Sequence, residues 1–113
     1  MNPWLEDAVS SFRRKFPECQ NGDLIHDRCW PYSAEFIRHV EIVSPLDVDN
    51  EVVSGVHFDE DNRIILAGHA AARIGDTVFD WTLRQFYPDA DVPTITPLAQ
   101  WREDWKPLKE ASA

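Results

Sequence analysis

The stretch from Gly68 to Gln85, GHAAARIGDTVFDWTLRQ, limits the possible folds of this chain more than any other segment. Gly75-Asp76 lies between two runs of strand-forming residues, and a two-residue loop with glycine first suits a type II′ turn. Such a turn pairs Ile74 with Thr77, and the register then follows: Arg73 opposite Val78, Ala71 opposite Asp80 and His69 opposite Thr82. Side chains alternate along a strand, so the last three pairs share one face of the ribbon. His69 and Asp80 become diagonal neighbours, roughly 7–8 Å apart at the backbone, within reach of an imidazole–carboxylate hydrogen bond. Ala70, Ala72, Ile74, Phe79 and Trp81 collect on the other face, which is expected to be the buried one. A slip of one residue would bury an ionisable pair in place of two aromatics, at far greater cost.

Upstream, Asn2-Pro3 supplies an N-cap and a first-turn proline. Leu5, Ala8, Val9, Phe12 and Phe16 then recur at helical spacing until Pro17. This predicts an amphipathic helix over residues 3–16, with Arg13, Arg14 and Lys15 complementing the negative end of its dipole. Glu18 to Arg28 reads as a polar loop. A second helix is expected from Asp27 or Arg28 through Val40 or Ile42, with Pro31 near its first turn and Tyr32, Phe36, Ile37 and Val40 as its apolar stripe. Cys29 thus stands at a helix N-terminus.

The segment 44–50 reads as a loop. Strands are expected over 51–58 and 63–67, joined by the acidic turn Asp59-Glu60-Asp61-Asn62, and Gly68 as a bulge before His69. After the hairpin, a Pro- and Asp-rich loop leads to Thr96-Pro97, which opens a short helix carrying Leu98, Trp101 and Trp105 on one face. Residues after Pro107 are expected to be loose. Helices followed by a small antiparallel sheet predict an α+β fold, with the N-terminal helices packed on the sheet. The length of 113 residues fits a single domain, and five Trp, two Tyr and six Phe suffice for a core.

Eleven Lys and Arg against twenty Asp and Glu give a formal charge of −9. That field repels nucleic acid and anionic membranes and favours a basic or amide-rich partner. No apolar run reaches the length of a membrane span, and the first residues lack the basic-then-apolar pattern of a signal peptide, so a cytoplasmic location, or delivery as an effector, is the expectation. Cys19 and Cys29 are too few for a disulfide scaffold, and their spacing matches no common zinc pattern.

Cys29, His69 and Asp80 bring together a thiol, an imidazole and a carboxylate. A cysteine attacks as its thiolate, and both a helix N-terminus and an adjacent imidazolium favour that form. A carboxylate can hold the imidazole in the productive tautomer. The Cys29 N–H, unpaired at a helix start, can donate toward an oxyanion. A second donor is sought in Gln20 or Asn21, with His26 a further option. Trp30 is read as either a pocket wall or core. Gln85, with Phe86 and Tyr87, is read chiefly as capping the sheet, with Gln85 able to donate a hydrogen bond near the site. Asp80 is the residue structure alone explains least, because aspartate is disfavoured in strands. His26, His39 and His57 read as surface or structural groups. The three chemical residues are also a conceivable zinc donor set, but they lack the close ligand pairs of such sites, so no metal and no cofactor is expected.

Cys29 at a helix start, His69-Ala70 on a strand and Asp80-Trp81-Thr82 on the next resemble the papain-like superfamily of thiol enzymes, including its transglutaminase-like and glutamine-deamidase branches. More narrowly, GHAAARIGDTVFDWTLRQFYPDADVP is similar to the segment of small bacterial and phage papain-fold proteins in which an Asp-x-Thr-x-x-Gln-Phe string follows the histidine. The likeness spans residues 22–101. It implies a papain-like domain over 1–113 and acyl transfer from an amide by a Cys-His-Asp triad: peptide hydrolysis, glutamine deamidation or transamidation, on a protein or peptide substrate. Two features depart from the larger peptidases. Asp23 and Leu24 occupy the region where those enzymes place an oxyanion glutamine, and His69 follows Cys29 by only forty positions. The rival expectation is a non-catalytic acidic protein on the same fold that docks on a basic partner.

Overall fold

Asn2 begins the first helix as its spacing predicts, its side-chain oxygen accepting the Leu5 N–H at 3.0 Å. In the computed structural model, which describes residues 1–58 and 65–107, helix α1 spans Pro3–Lys15. It ends one residue short of Phe16 because a residue preceding proline is pushed out of the helical region, and Phe16 has φ −124° and ψ 66°. Leu5, Ala8, Val9 and Phe12 form its buried face.

The following segment is not simply the polar loop its composition suggests. A 3-10 turn at Pro17–Gln20 and the turns after it drive Cys19 and Ile25 into the core, both fully buried. Three apolar residues among eleven, of which Leu24 stays exposed, carry no periodic signal, and the burial of the other two depends on the helices they cover. Helix α2 spans Cys29–Val43. Asp27 and Arg28 stay outside it, because Asp27 adopts the left-handed conformation at φ 60°. Phe36 and Val40 are buried along α2, with Tyr32 and Ile37 packed at the edge of the same stripe.

Strands β1 (Asn50–Phe58), β2 (Ile65–Ile74), β3 (Thr77–Asp80) and β4 (Thr94–Pro97) form one antiparallel sheet in the order β1-β2-β3-β4. The chain is an α+β protein. The turn expected at residues 59–62, the first two positions of the strand expected at 63–67 and the tail after Pro107 lie outside the described residues.

The hairpin register is as expected: Ile74 faces Thr77, Arg73 faces Val78 and Ala72 faces Phe79. Gly75 has φ 59° and Asp76 does not share a positive φ, the combination a type II′ turn requires. Three expectations are corrected. Gly68 is not a bulge: it pairs with Val56 in an unbroken ladder, and the irregularity falls between His57 and Phe58, toward the end of the pair. The β2–β3 ladder stops at Phe79, so Ala71 and His69 do not pair with Asp80 and Thr82; Asp80 pairs with Thr94 instead. The third correction is β4 itself, which occupies part of the expected loop. Four residues bounded by proline carry too little pattern to announce a strand, and pairing with β3 supplies what propensity does not.

The sheet is covered on both sides, not on one. Helices α1 and α2 pack on the face bearing Ala72, Ile74, Phe79 and Trp81, where Phe12 touches Phe36 and Trp81 at ring-centroid distances of 5.2 and 4.5 Å. Helix α3, Leu98–Asp104, covers the opposite face, where Trp101 and Trp105 join Val53, Ala71 and Val78. The face carrying His69 and Asp80 is therefore interior. Gly55, directly across from His69, permits this: a Cβ there would meet Trp105 backbone atoms at 2.7–2.8 Å. Mutual hydrogen bonds between Val56 and Lys106 hold this close approach.

Candidate active site

His69 projects from β2 and Asp80 from the last position of β3, on the face that α3 covers. The imidazole Nε2 lies 2.8 and 2.7 Å from the two carboxylate oxygens of Asp80, and the two side chains are 0% and 1% exposed. The carboxylate also accepts the Trp101 indole N–H at 3.2 Å and the Thr82 backbone N–H at 3.4 Å. The ring is held between aromatics, with Phe86 edge-on at 5.3 Å and Trp105 tilted at 4.8 Å. A buried ionic group keeps its place only when its partners are satisfied, and Asp80 meets that condition.

With Nε2 committed to Asp80, Nδ1 is the nitrogen left to serve another group. Cys29 is half-buried at the first position of α2, and its thiol and the imidazole each shift the other's titration. Burial pushes the Cys29 thiol up, but the His69 hydrogen bond and charge, together with the backbone N–H groups of Ala70 and Trp30, outweigh it and leave the pKa below its ordinary value. Burial pushes His69 down, but hydrogen bonds to Asp80 and Cys29 and their charges raise it to about 9. The two directions together favour thiolate beside imidazolium. Cys19 contrasts with this, its thiol pushed up to about 12 by burial and by Glu18.

These shifts have a consequence for stability. His69, raised from 6.5 to about 9, contributes stability that is complete below pH 6.5 and lost as pH rises through about 9. Cys29, lowered from 9.0, contributes stability present above pH 9.0 and lost as pH falls through its lowered value. Above pH 6.5 the two slopes oppose each other, because the folded pair keeps on the ring a proton that the unfolded pair keeps on sulfur. Cys29→Ser removes one slope, so its urea midpoint is expected to decline more steeply than that of the parent between pH 6.5 and 9. Profiles that decline in parallel would show that Cys29 is not held as thiolate in the folded protein, and profiles that are both flat would show that Asp80 does not hold the His69 proton.

The remaining expected site residues divide. Gln85 does reach the centre: its Nε2 lies 3.5 Å from His69 Nδ1 and donates to Thr82 Oγ1 at 3.2 Å, while its Oε1 accepts the Asp27 N–H at 3.2 Å. Gln20, Asn21 and Gln85 share a groove of about 410 Å³ with Gly22, Asp23, Arg84 and Pro88. The Asn21 side-chain oxygen is occupied by the Asp23 N–H, and the Gln20 carbonyl by Arg84. His26 is exposed beside Asp27. Trp30 is not core: it is 56% exposed, and its backbone N–H, not its ring, acts on Cys29. His39 pairs with Ser11, and His57 with the Asp104 carbonyl, both away from this centre. Among the described residues no group of three or more His, Cys, Asp or Glu is placed to hold a metal ion, and no helix is long and apolar enough to cross a membrane.

Trp101, expected only as part of the apolar face of a short helix, is a further participant through its indole N–H. A buried indole N–H needs an acceptor, and that requirement was the available signal. No family model, curated protein or solved structure matches the chain.

Proposed function

We propose that this chain is a small thiol enzyme with a papain-like arrangement, acting on an amide through Cys29 as nucleophile, His69 as general base and acid, and Asp80 as the group that orients His69. The observation that carries this reading is the His69 Nε2–Asp80 contact at 2.7 Å, which commits that nitrogen to the carboxylate; in the proposed arrangement Nδ1 serves the Cys29 sulfur, whose titration the imidazole lowers.

In the proposed reaction the Cys29 thiolate attacks the amide carbonyl carbon, forming a C–S bond. The Cys29 N–H donates to the developing oxyanion. The amide nitrogen leaves with the proton from His69 Nδ1, giving a thioester. Water or an amine then gives up a proton to the same nitrogen as it attacks, and the C–S bond breaks to restore the thiolate. Cleavage, deamidation and transamidation differ only in which amide is presented and which nucleophile resolves the thioester. The charge of −9 favours a protein or peptide with a basic surface.

The test is alkylation by iodoacetamide, mapped by mass spectrometry. Cys29 is expected to label at pH 6 while Cys19 does not, and His69→Ala is expected to slow Cys29 labelling at that pH by about tenfold or more, one pKa unit being tenfold in thiolate. Labelling confined to Cys19, or a Cys29 rate indifferent to His69→Ala, would overturn the enzyme reading in favour of a protein that only binds.

A further inference from the structure

The segment entering α2 has an unusual backbone. Asp27 is the one non-glycine residue with positive φ among the described residues, and it lies two positions before Cys29. Aspartate tolerates this conformation better than most residues, but its N–H must then find a partner away from the regular helix. Gln85 provides that partner through Oε1. No side chain caps α2, since Arg28 at the cap position makes no such bond. The Asp27–Gln85 contact is thus a tether between the nucleophile's end of α2 and the segment following Asp80.

The other end of the same carboxamide faces the chemistry. Immediately after Asp80 the chain leaves the sheet and closes a 3-10 turn over Leu83–Gln85, with the Gln85 N–H bonded to the Thr82 carbonyl. This turn brings Nε2 back to Thr82 Oγ1 and to within 3.5 Å of Nδ1 of His69. Oxygen and nitrogen of the amide are distinguished by their partners, because the Asp27 N–H requires an acceptor. The loop containing Gly22 seats against the same turn, leaving no room for a Cβ: the Arg84 carbonyl oxygen would stand 2.4 Å away, too close for any side chain. Arg84 fastens this region further through the Gln20 and Ala90 carbonyls.

We propose that Gln85 is a positioning residue: its carboxamide ties the Asp27 backbone at the entrance of α2 to His69, and so sets the Cys29 sulfur against Nδ1. The proposal deepens the Cys29–His69 reading and rests on it. A consequence follows for the resting state. The Gln85 amide N–H at Nδ1 favours the unprotonated ring and so works against the rise that Asp80 and Cys29 impose on His69, whereas a carboxylate in its place would add to that rise. The titratable groups facing the imidazole are Cys29 from α2 and Asp80 from β3; Phe86, Trp101 and Trp105 on the remaining sides do not titrate in this range.

Three proteins separate positioning from simple support: the parent, Gln85→Ala and Gln85→Glu. Iodoacetamide rates at Cys29 would be followed from pH 5 to 9, and the His69 imidazole would be titrated by NMR. Gln85→Ala is expected to lose roughly ten- to hundredfold in Cys29 alkylation rate, the scale of an ångström's misplacement. Gln85→Glu retains an acceptor for Asp27 and is expected to keep most of the rate while moving both the His69 titration and the rate profile to higher pH. Gln85→Ala with an unchanged rate and an unchanged titration overturns the proposal, as does a Gln85→Glu titration that superimposes on the parent. If Gln85→Ala does not fold, the Gln85→Glu titration decides. If Cys29 is unreactive in the parent, the enzyme reading fails, and the NMR comparison alone still judges the tether.

Discussion

Asp80→Ala is expected to destabilise the protein by about 3–5 kcal/mol, the cost of removing one member of a buried ionic pair. Asp80 is 1% exposed, and its carboxylate accepts from His69, the Trp101 indole and the Thr82 backbone. Alanine leaves all three donors without an acceptor in an interior that water does not reach, and it adds a small cavity. Asp80→Asn keeps the volume and one acceptor oxygen, so about 1–3 kcal/mol is expected for the lost charge and the mispaired amide. Urea unfolding at pH 7 ranks the two. An alanine variant within about 1 kcal/mol of the parent would mean that the imidazole and indole find other partners, and that the pair is not the anchor of this side of the sheet.

Phe12→Ala acts on the opposite face and is expected to cost about 3–5 kcal/mol, the usual loss on truncating a buried phenylalanine. Phe12 is fully buried and meets Phe16, Phe36 and Trp81 with ring centroids 4.6, 5.2 and 4.5 Å apart, so it joins α1, α2 and the end of β3. Domains of ordinary stability hold about 5–15 kcal/mol in all, so the variant sits near the edge of folding at 37 °C. Thermal unfolding followed by near-UV circular dichroism reads the change. A loss smaller than about 1 kcal/mol would show that the aromatic cluster closes over the gap, and that α2 holds its place without it.

The candidate site was legible where its geometry is local. His69 and Asp80 are joined by a hairpin with a two-residue turn, so the alternation of side chains was enough to put both on one face. Cys29 at the start of α2 followed from the helical stripe after Pro31. The ordered part of the Gln85 network was not legible in the same way. It depends on the chain leaving the sheet after Asp80, and a strand continued through Thr82, as the register alone implied, would have carried Gln85 away from the imidazole. Asn21 and Gln20 were sought as donors by their position before the helix, but the contacts they make are as acceptors, the Asn21 side-chain oxygen to the Asp23 N–H and the Gln20 backbone carbonyl to the Arg84 guanidinium.

What the amino-acid order determined by itself is whatever neighbouring residues can decide among themselves. The Asn2 cap, the apolar stripes of α1 and α2 and the Gly75-Asp76 turn each involve contacts within a few positions, whose closure costs little chain entropy. Tertiary structure decided the rest. Strand β4 is a strand because β3 offers it hydrogen bonds, and His69 and Asp80 are interior because Trp101 and Trp105 cover a face that alternation alone left open. Asp27 is held in its left-handed conformation by an acceptor fifty-eight positions away. In each case the deciding partner is distant along the chain, and its contribution exists only once the helices and sheet have packed.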